Sequence, residues 1–209
     1  LCRLCGGIRL TRGRFAMSQV TVESGATVAL FGFGVTGRAV ASELIERNSS
    51  VLVFDDSPNE EMVSTAEAIG VNLVAPKSEK EFHRDIEDVD FAIPTPGLRE
   101  SHFFFKAVAD RGIPILTEFD LAAQWDNRPI LAITGTNGKT TVSTMVHEML
   151  ERSGIVSALA GNTDIPLVSA IRKDETETMV VEASSFRLSH SSSFKPRVAA
   201  WLNFAPDHL

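Results

Sequence analysis

Pro129-Ile130-Leu131-Ala132-Ile133 runs into Thr134-Gly135-Thr136-Asn137-Gly138-Lys139-Thr140-Thr141, after which Val142, Met145, Val146, Met149 and Leu150 recur at helical spacing. A buried-type strand, a glycine turn and a helix therefore follow one another. Successive backbone N–H groups in such a turn form a nest for an anion. Lys139 supplies a point charge for β and γ phosphates, and the Thr140 hydroxyl can ligate Mg²⁺. The common phosphate loop carries a glycine five residues before the glycine that precedes the lysine. Ile133 stands there in this chain, so Gly135 to Thr141 is a shorter form. A plain βα turn rarely combines two glycines, a lysine and threonines between strand and helix by accident.

Working towards the N-terminus, Thr27-Val28-Ala29-Leu30-Phe31 reads as a strand that stops at Gly32-Phe33-Gly34-Val35-Thr36-Gly37. Ala39, Val40, Leu44 and Ile45 then keep a helical period. Glycines there let the chain turn tightly and bring backbone N–H groups near a ligand, and the helix N-terminus favours a diphosphate. The next strand, Val51-Leu52-Val53-Phe54, ends at Asp55-Asp56, where an acidic group would meet a ribose hydroxyl. Nucleotide binding and a tight βα turn whose glycines serve packing are the two readings of this loop.

The same rhythm continues. Val71–Val74, Asp90–Ile93 and Ile113–Leu116 read as strands, with helical patterns over Glu60–Ile69 and Phe103–Arg111. Such alternation predicts an α/β fold: a Rossmann-like domain with a parallel sheet, then an ATP-binding domain of the phosphate-loop α/β type. Pro94-Thr95-Pro96-Gly97 falls at the carboxyl end of the first sheet, either as a ligand loop or as a rigid turn. Phe103-Phe104-Phe105 is expected to pack into the core. Met179-Val180-Val181 is strand-like and delivers Glu182 beside the second loop, where a carboxylate can hold Mg²⁺ together with Thr140. A surface glutamate is the alternative.

Composition sets the outer limits. The 209 residues are 44% hydrophobic and 22% charged with a net charge of −7, an ordinary globular balance. No apolar run approaches the roughly 18 residues of a membrane span, and the acidic balance argues against general nucleic-acid affinity. The first sixteen residues carry Arg3, Arg9, Arg12 and Arg14 and no acidic residue, so the remainder is four charges more negative than the whole. We expect a disordered basic extension over 1–19, translated from upstream of a start at Met17 in preference to a targeting signal. Cys2 and Cys5 make a lone CxxC there; with no second pair it predicts no metal site, and a reducing cytoplasm suits a chain with no other cysteine. The expected organisation is an extension over 1–19, a substrate domain over 20–117 and an ATP domain over 118–209.

Two glycine loops, each after a separate first strand, predict two nucleotide-shaped sites, whereas a dehydrogenase needs only the first. At this point the chain resembles a known family, the Mur ligases of bacterial cell-wall synthesis. The resemblance rests on Gly32 to Gly37, Thr95-Pro96-Gly97, Gly135 to Thr141, Gly161-Asn162, Glu182-Ala183-Ser184-Ser185-Phe186, and Asn203 with Asp207-His208. It runs from about Val20 to Leu209.

The resemblance implies ATP-dependent amide formation in peptidoglycan precursor synthesis, with ATP and Mg²⁺. The leading GxGxxG favours the branch that adds D-glutamate to UDP-N-acetylmuramoyl-L-alanine through an acyl phosphate. It implies that Lys139, Glu182 and His208 are catalytic, that Thr140, Glu182 and His208 ligate metal, and that Gly135, Thr136, Asn137, Gly138, Lys139, Thr140 and Thr141 hold ATP. Gly34, Val35, Thr36, Gly37, Asp55, Thr95, Pro96, Gly97 and Asn162 would hold the substrate, with the first loop gripping its uridine diphosphate end. No nucleic acid or membrane partner is implied, and the full-length enzyme would be a cytoplasmic monomer.

Two positions depart from the family pattern. Asp55-Asp56-Ser57-Pro58 stands where a Thr-Arg pair often meets uracil, and Arg187 stands where Gln is common. A carbamylated lysine and a third domain, which the family carries further on, are not among these residues. The ATP domain is thus expected to be incomplete and the fragment inactive alone. An NAD-binding oxidoreductase or regulatory module is the rival reading; it explains the first loop but gives Gly135 to Thr141 and Glu182 no task.

Overall fold

The computed structural model describes residues 21–205. The expected extension over 1–19, with Cys2 and Cys5, lies outside them, as does His208. In chain order the first half runs β1 (Thr27–Phe31), α1 (Val35–Glu46), β2 (Ser50–Phe54), α2 (Glu60–Ile69), β3 (Asn72–Val74), α3 (Glu79–Asp85), β4 (Phe91–Pro94), α4 (Phe103–Asp110) and α5 (Glu118–Trp125). The second half runs β5 (Ile130–Thr134), α6 (Lys139–Arg152), β6 (Ser157–Gly161), α7 (Leu167–Ala170), β7 (Thr178–Glu182), α8 (Ser185–Ser189) and β8 (Val198–Trp201). Two four-stranded sheets result, ordered β3-β2-β1-β4 and β6-β7-β5-β8, with every pairing parallel.

Parallel strands carry helices on their faces, so interior strands read as continuous apolar runs. β1 shows how such a run divides. Val28 and Leu30 enter a core shared with the second sheet, while Ala29 and Phe31 enter a separate core with Phe54, Phe82 and Phe104. The period-2 geometry of a strand sends neighbours to opposite faces. Phe104 is fully buried and Phe103 and Phe105 pack against the same core, with the Phe31 and Phe104 ring centroids 5.6 Å apart. The triplet is packing, as its sequence predicts.

Helix ends follow from local chemistry. The Asn59 side chain accepts from Met62 N–H at the start of α2, and Gly70 in the left-handed region ends it. Thr117 and Asp120 form a reciprocal capping box at the start of α5. One expected strand does not form: of Ile113–Leu116, only Ile115 bridges β4, opposite Ala92. Pro114 has no N–H to give to a ladder, which limits the segment to a single bridge.

The shared core joins the sheets. Val40, Ala41 and Leu44 of α1 belong to one cluster with Leu167, Val168, Ala170 and Ile171 around α7. Full burial of a side chain such as Leu44 or Leu167 contributes about 1.5–3 kcal/mol. Charge reinforces the seam, because Glu43 of α1, 2% exposed, is bridged by Arg172 at 2.9 Å and by Arg47, whose guanidinium lies 4.0 Å over the Trp125 ring. Both glycine loops are therefore mounted on one packed unit.

Candidate active site at the two glycine loops

The second loop leaves β5, which lies between β7 and β8, and enters α6 through Gly138. This is the carboxyl end of a parallel sheet, where the strand order directs ligands. Lys139 is the first residue of α6, and its ammonium donates to the carbonyls of Gly135 at 2.8 Å and Thr136 at 2.9 Å. The positive charge therefore sits over the loop. Thr140 and Thr141 are exposed at the start of α6.

Chain from beyond β8 fixes the loop's shape. Asn137 N–H donates to Asn203 Oδ1 at 2.9 Å, and Asn203 Nδ2 donates back to the Asn137 carbonyl at 2.9 Å. Thr136 N–H donates to the Asn203 carbonyl, which also accepts from the Trp201 indole at 2.9 Å. With Asn137 N–H so engaged, the N–H groups that follow it at the helix entrance are the ones that could meet an anion.

Glu182 ends β7, opposite Ile133 of β5 and Gly161 of β6. Its side chain is 2% exposed; Oε1 accepts from Asn162 Nδ2 at 3.1 Å, and Oε2 has no hydrogen-bond partner among the described residues. A buried carboxylate oxygen without a partner is costly, so it suits a site that receives a cation or donor. The same strand end holds Asn162, whose N–H donates to the Glu182 carbonyl at 2.8 Å.

Packing governs much of the first loop. A Cβ on Gly37 would lie 2.0 Å from the Gly32 carbonyl, and one on Gly32 would lie 2.0 Å from Thr95 Oγ1. Two of the three motif glycines thus serve close approach, while Gly34 caps α1 with no side-chain hydrogen bond and faces open space. Val35, the first residue of α1, is 55% exposed. Asp55 works inside the loop: its Oδ2 accepts from Phe33 N–H at 2.8 Å and its Oδ1 from Ser57 N–H at 3.0 Å. Asp56 pairs with His102 Nε2 at 3.1 Å.

An open cleft of about 750 Å³ brings Pro96 from the end of the first sheet together with Thr134, Gly135, Thr136, Lys139 and Asn162 of the second. Trp201 and Phe204 form its aromatic rim. Gly34, Val35 and Asp55 do not line this cleft; they belong to the neighbouring rim of the first sheet.

Sequence reasoning gave three residues no task here: Asn203 and Arg187, noted only for their motif positions, and Glu118. Asn203 gives no signal of its loop contact until β8 is known to lie beside β5. Arg187 and Glu118 form a buried ion pair at 2.6 Å between α8 and α5, and no periodicity announces it. Burial raises the Glu118 carboxyl above its usual range, and the Arg187 charge and the Val168 N–H counter that shift.

Residues 133–209 match the Mur ligase middle domain. The chain is 38% identical over 188 residues to a UDP-N-acetylmuramoylalanine–D-glutamate ligase of Desulfosudis oleivorans, covering 87% of this chain and 40% of that protein. It is 36% identical over 180 residues to the ligase of that name from Thermus thermophilus, covering 86% and 41%. The chain thus spans about two fifths of the curated relatives it matches. Among solved structures, the UDP-N-acetylmuramate:L-alanyl-gamma-D-glutamyl-meso-diaminopimelate ligase from Neisseria meningitides superposes with a TM-score of 0.55 at 19% identity, covering 88% of this chain and 62% of that one. A murein peptide ligase from Psychrobacter arcticus gives 0.53 at 19%, covering 88% and 44%. These two show the shared fold. With the middle-domain match and relatives at this identity across nearly nine tenths of its length, the chain belongs to the Mur ligase family.

Proposed function

We propose that the protein serves ATP-dependent amide formation, adding D-glutamate to UDP-N-acetylmuramoyl-L-alanine in peptidoglycan precursor synthesis. The substrate carboxylate attacks the γ-phosphorus of ATP, the bond to the β-phosphate oxygen breaks, and an acyl phosphate and ADP form. The amine of D-glutamate then attacks the activated carbonyl, expels inorganic phosphate and loses a proton. A carboxylate and an amine do not condense unaided in water, so phosphorylation creates the leaving group and the protein contributes alignment and charge neutralisation.

The observation that carries this reading is the convergence on one cleft of Lys139, the loop Thr134–Thr136, Asn162 and Pro96. Gly135 to Thr141 would cradle the phosphates of ATP, with Lys139 turning from the loop carbonyls to the β and γ oxygens. Gly34, Val35, Thr36 and Gly37 would meet the diphosphate of the UDP-substrate at the start of α1, with Thr95, Pro96, Gly97 and Asn162 between it and the ATP loop. Asp55 keeps the first loop in shape through Phe33 and Ser57, and the ribose of the UDP-substrate would lie beside it.

Mg²⁺ fits the donors. Glu182 Oε2 is a buried hard oxygen without a partner among the described residues, and the Thr140 hydroxyl is exposed at the loop. Glu182, Thr140 and, outside the described residues, His208 would hold the ion. Bound there, Mg²⁺ supplies neutralisation of the phosphate oxygens. A cytoplasmic monomer is part of this proposal, since its substrates are soluble nucleotides and amino acids; among the described residues no helix is long and apolar enough to cross a membrane.

Thermal-shift titration tests the ligand classes. UDP-N-acetylmuramoyl-L-alanine and Mg²⁺-ATP analogue should each raise Tm, and NADH should not. Stabilisation by NADH alone would overturn the proposal. ADP release by the full-length protein that requires both the UDP-substrate and D-glutamate is the corresponding activity assay.

A further inference from the structure

Arg187 occupies a position that neither loop motif explains. Its side chain is 7% exposed, and its fork reaches two different elements: Nη1 donates to Glu118 Oε2 of α5 at 2.6 Å, and Nη2 donates to Thr36 Oγ1 of α1 at 3.0 Å. Thr36 is the second residue of α1, inside the first glycine loop. Arg187 itself lies in α8, which begins three residues after Glu182.

α8 is held at both ends. At its start the Ser184 side chain accepts from Arg187 N–H. Beyond its end, Ser191 to Phe194 wrap the buried Asp120 carboxylate of α5, with Ser193 N–H at 2.6 Å and Ser192 N–H at 2.8 Å from Oδ1. Glu118 is likewise committed to the seam, because its Oε1 accepts from Val168 N–H at 3.0 Å. A displacement of Thr36 is thus passed to a guanidinium that has little room to yield, and through it to the segment carrying Glu182.

We propose that Arg187 is a positioning residue that couples the two glycine loops: a diphosphate held at the start of α1 fixes Thr36, and through Arg187 sets the placement of α8 and of the Glu182 strand end beside the ATP loop. This rests on the two-site reading above. The guanidinium suits the task because its planar fork engages two acceptors at once, whereas a lysine ammonium reaches Glu118 or Thr36 but does not bridge them in this fixed geometry. Coupling of this kind is reciprocal, so each ligand strengthens the other by one common factor.

The test uses calorimetric titration of the 209-residue chain with UDP and with Mg²⁺-AMPPNP, each alone and each with the other saturating. In the wild type, saturating UDP is expected to tighten AMPPNP binding by about fivefold or more, and AMPPNP to tighten UDP equally. R187K retains the charge opposite Glu118, and the double variant R187M/E118Q removes both charges together, so neither leaves a buried charge unpaired. Each variant is expected to bind either ligand alone with the wild-type Kd and to show a coupling factor near one. An unchanged factor in both variants, or no coupling in the wild type, would overturn the inference while leaving the two-site reading standing. If neither ligand binds the wild type, the two-site reading fails and this inference falls with it.

Discussion

Asn203 and Asn137 hold one another by two reciprocal hydrogen bonds of 2.9 Å, side-chain oxygen to backbone N–H and side-chain amide to backbone carbonyl. A residue beyond β8 thereby imitates a strand partner for the tip of the second glycine loop. Asn203→Ala removes both bonds, and at about 1 kcal/mol each the loop should lose order worth about 1–2 kcal/mol. The expected result is roughly tenfold weaker binding of AMPPNP by calorimetry. An unchanged Kd would mean that the loop keeps its shape without the clasp.

Among the described residues, Lys139 bonds only carbonyl oxygens of its own loop. Replacing it with methionine keeps most of its length and deletes its charge. Charge-assisted hydrogen bonds contribute about 1.5–3 kcal/mol, so Lys139→Met should weaken a triphosphate about ten- to a hundredfold. UDP at the first loop should be bound as before. Equal triphosphate affinity in the variant would remove the basis of the ATP site.

Gly161 has φ +101°, and a Cβ there would lie 2.3 Å from the Glu182 carbonyl. Both the dihedral and the contact penalise a side chain, so Gly161→Ala should destabilise the fold by about 1–3 kcal/mol and displace Glu182. Urea denaturation reads the first effect, and a weaker Mg²⁺ dependence of AMPPNP binding reads the second. A variant with wild-type values in both would show that β6 can part from β7 at this end without consequence.

Asp120 is fully buried, and burial by itself would raise its pKa; the N–H groups of Ser193 and Thr117 and the hydroxyls of Thr117 and Ser191 outweigh that and hold the carboxyl below its ordinary range. The sign follows from linkage. A depressed folded pKa gives stability that is complete above the unfolded value of about 3.9 and is lost as pH falls through the folded one. Asp120→Asn should therefore cost about 2–3 kcal/mol at pH 7, and the gap between variant and wild type should narrow below about pH 4. Urea midpoints at pH 7 and pH 3 measure this. A gap of equal size at both values would assign the loss to shape and not to charge.

Much of the molecule was legible in its sequence because its signals are local. A strand running into glycines and a helix fixes a βα turn wherever it occurs, so Thr27 to Gly37 and Pro129 to Leu150 gave their elements directly. Pro114 was also legible in principle, since an imino nitrogen cannot feed a ladder; the apolar neighbours Ile113, Ile115 and Leu116 masked it.

What the tertiary structure decided are the relations that cross elements. Strand order β6-β7-β5-β8 brings Asn203 to Asn137 and Glu182 to Asn162, although 66 and 20 residues separate the partners in the chain. The shared core between α1 and α7 sets Arg187 against Thr36, 151 residues away. Hydrogen bonds and ion pairs form between groups a few ångströms apart in space, and only packing determines which distant residues come that close. The sequence by itself specified two glycine turns, each between a strand and a helix; the burial of one apolar seam decided that they sit within a single packed unit.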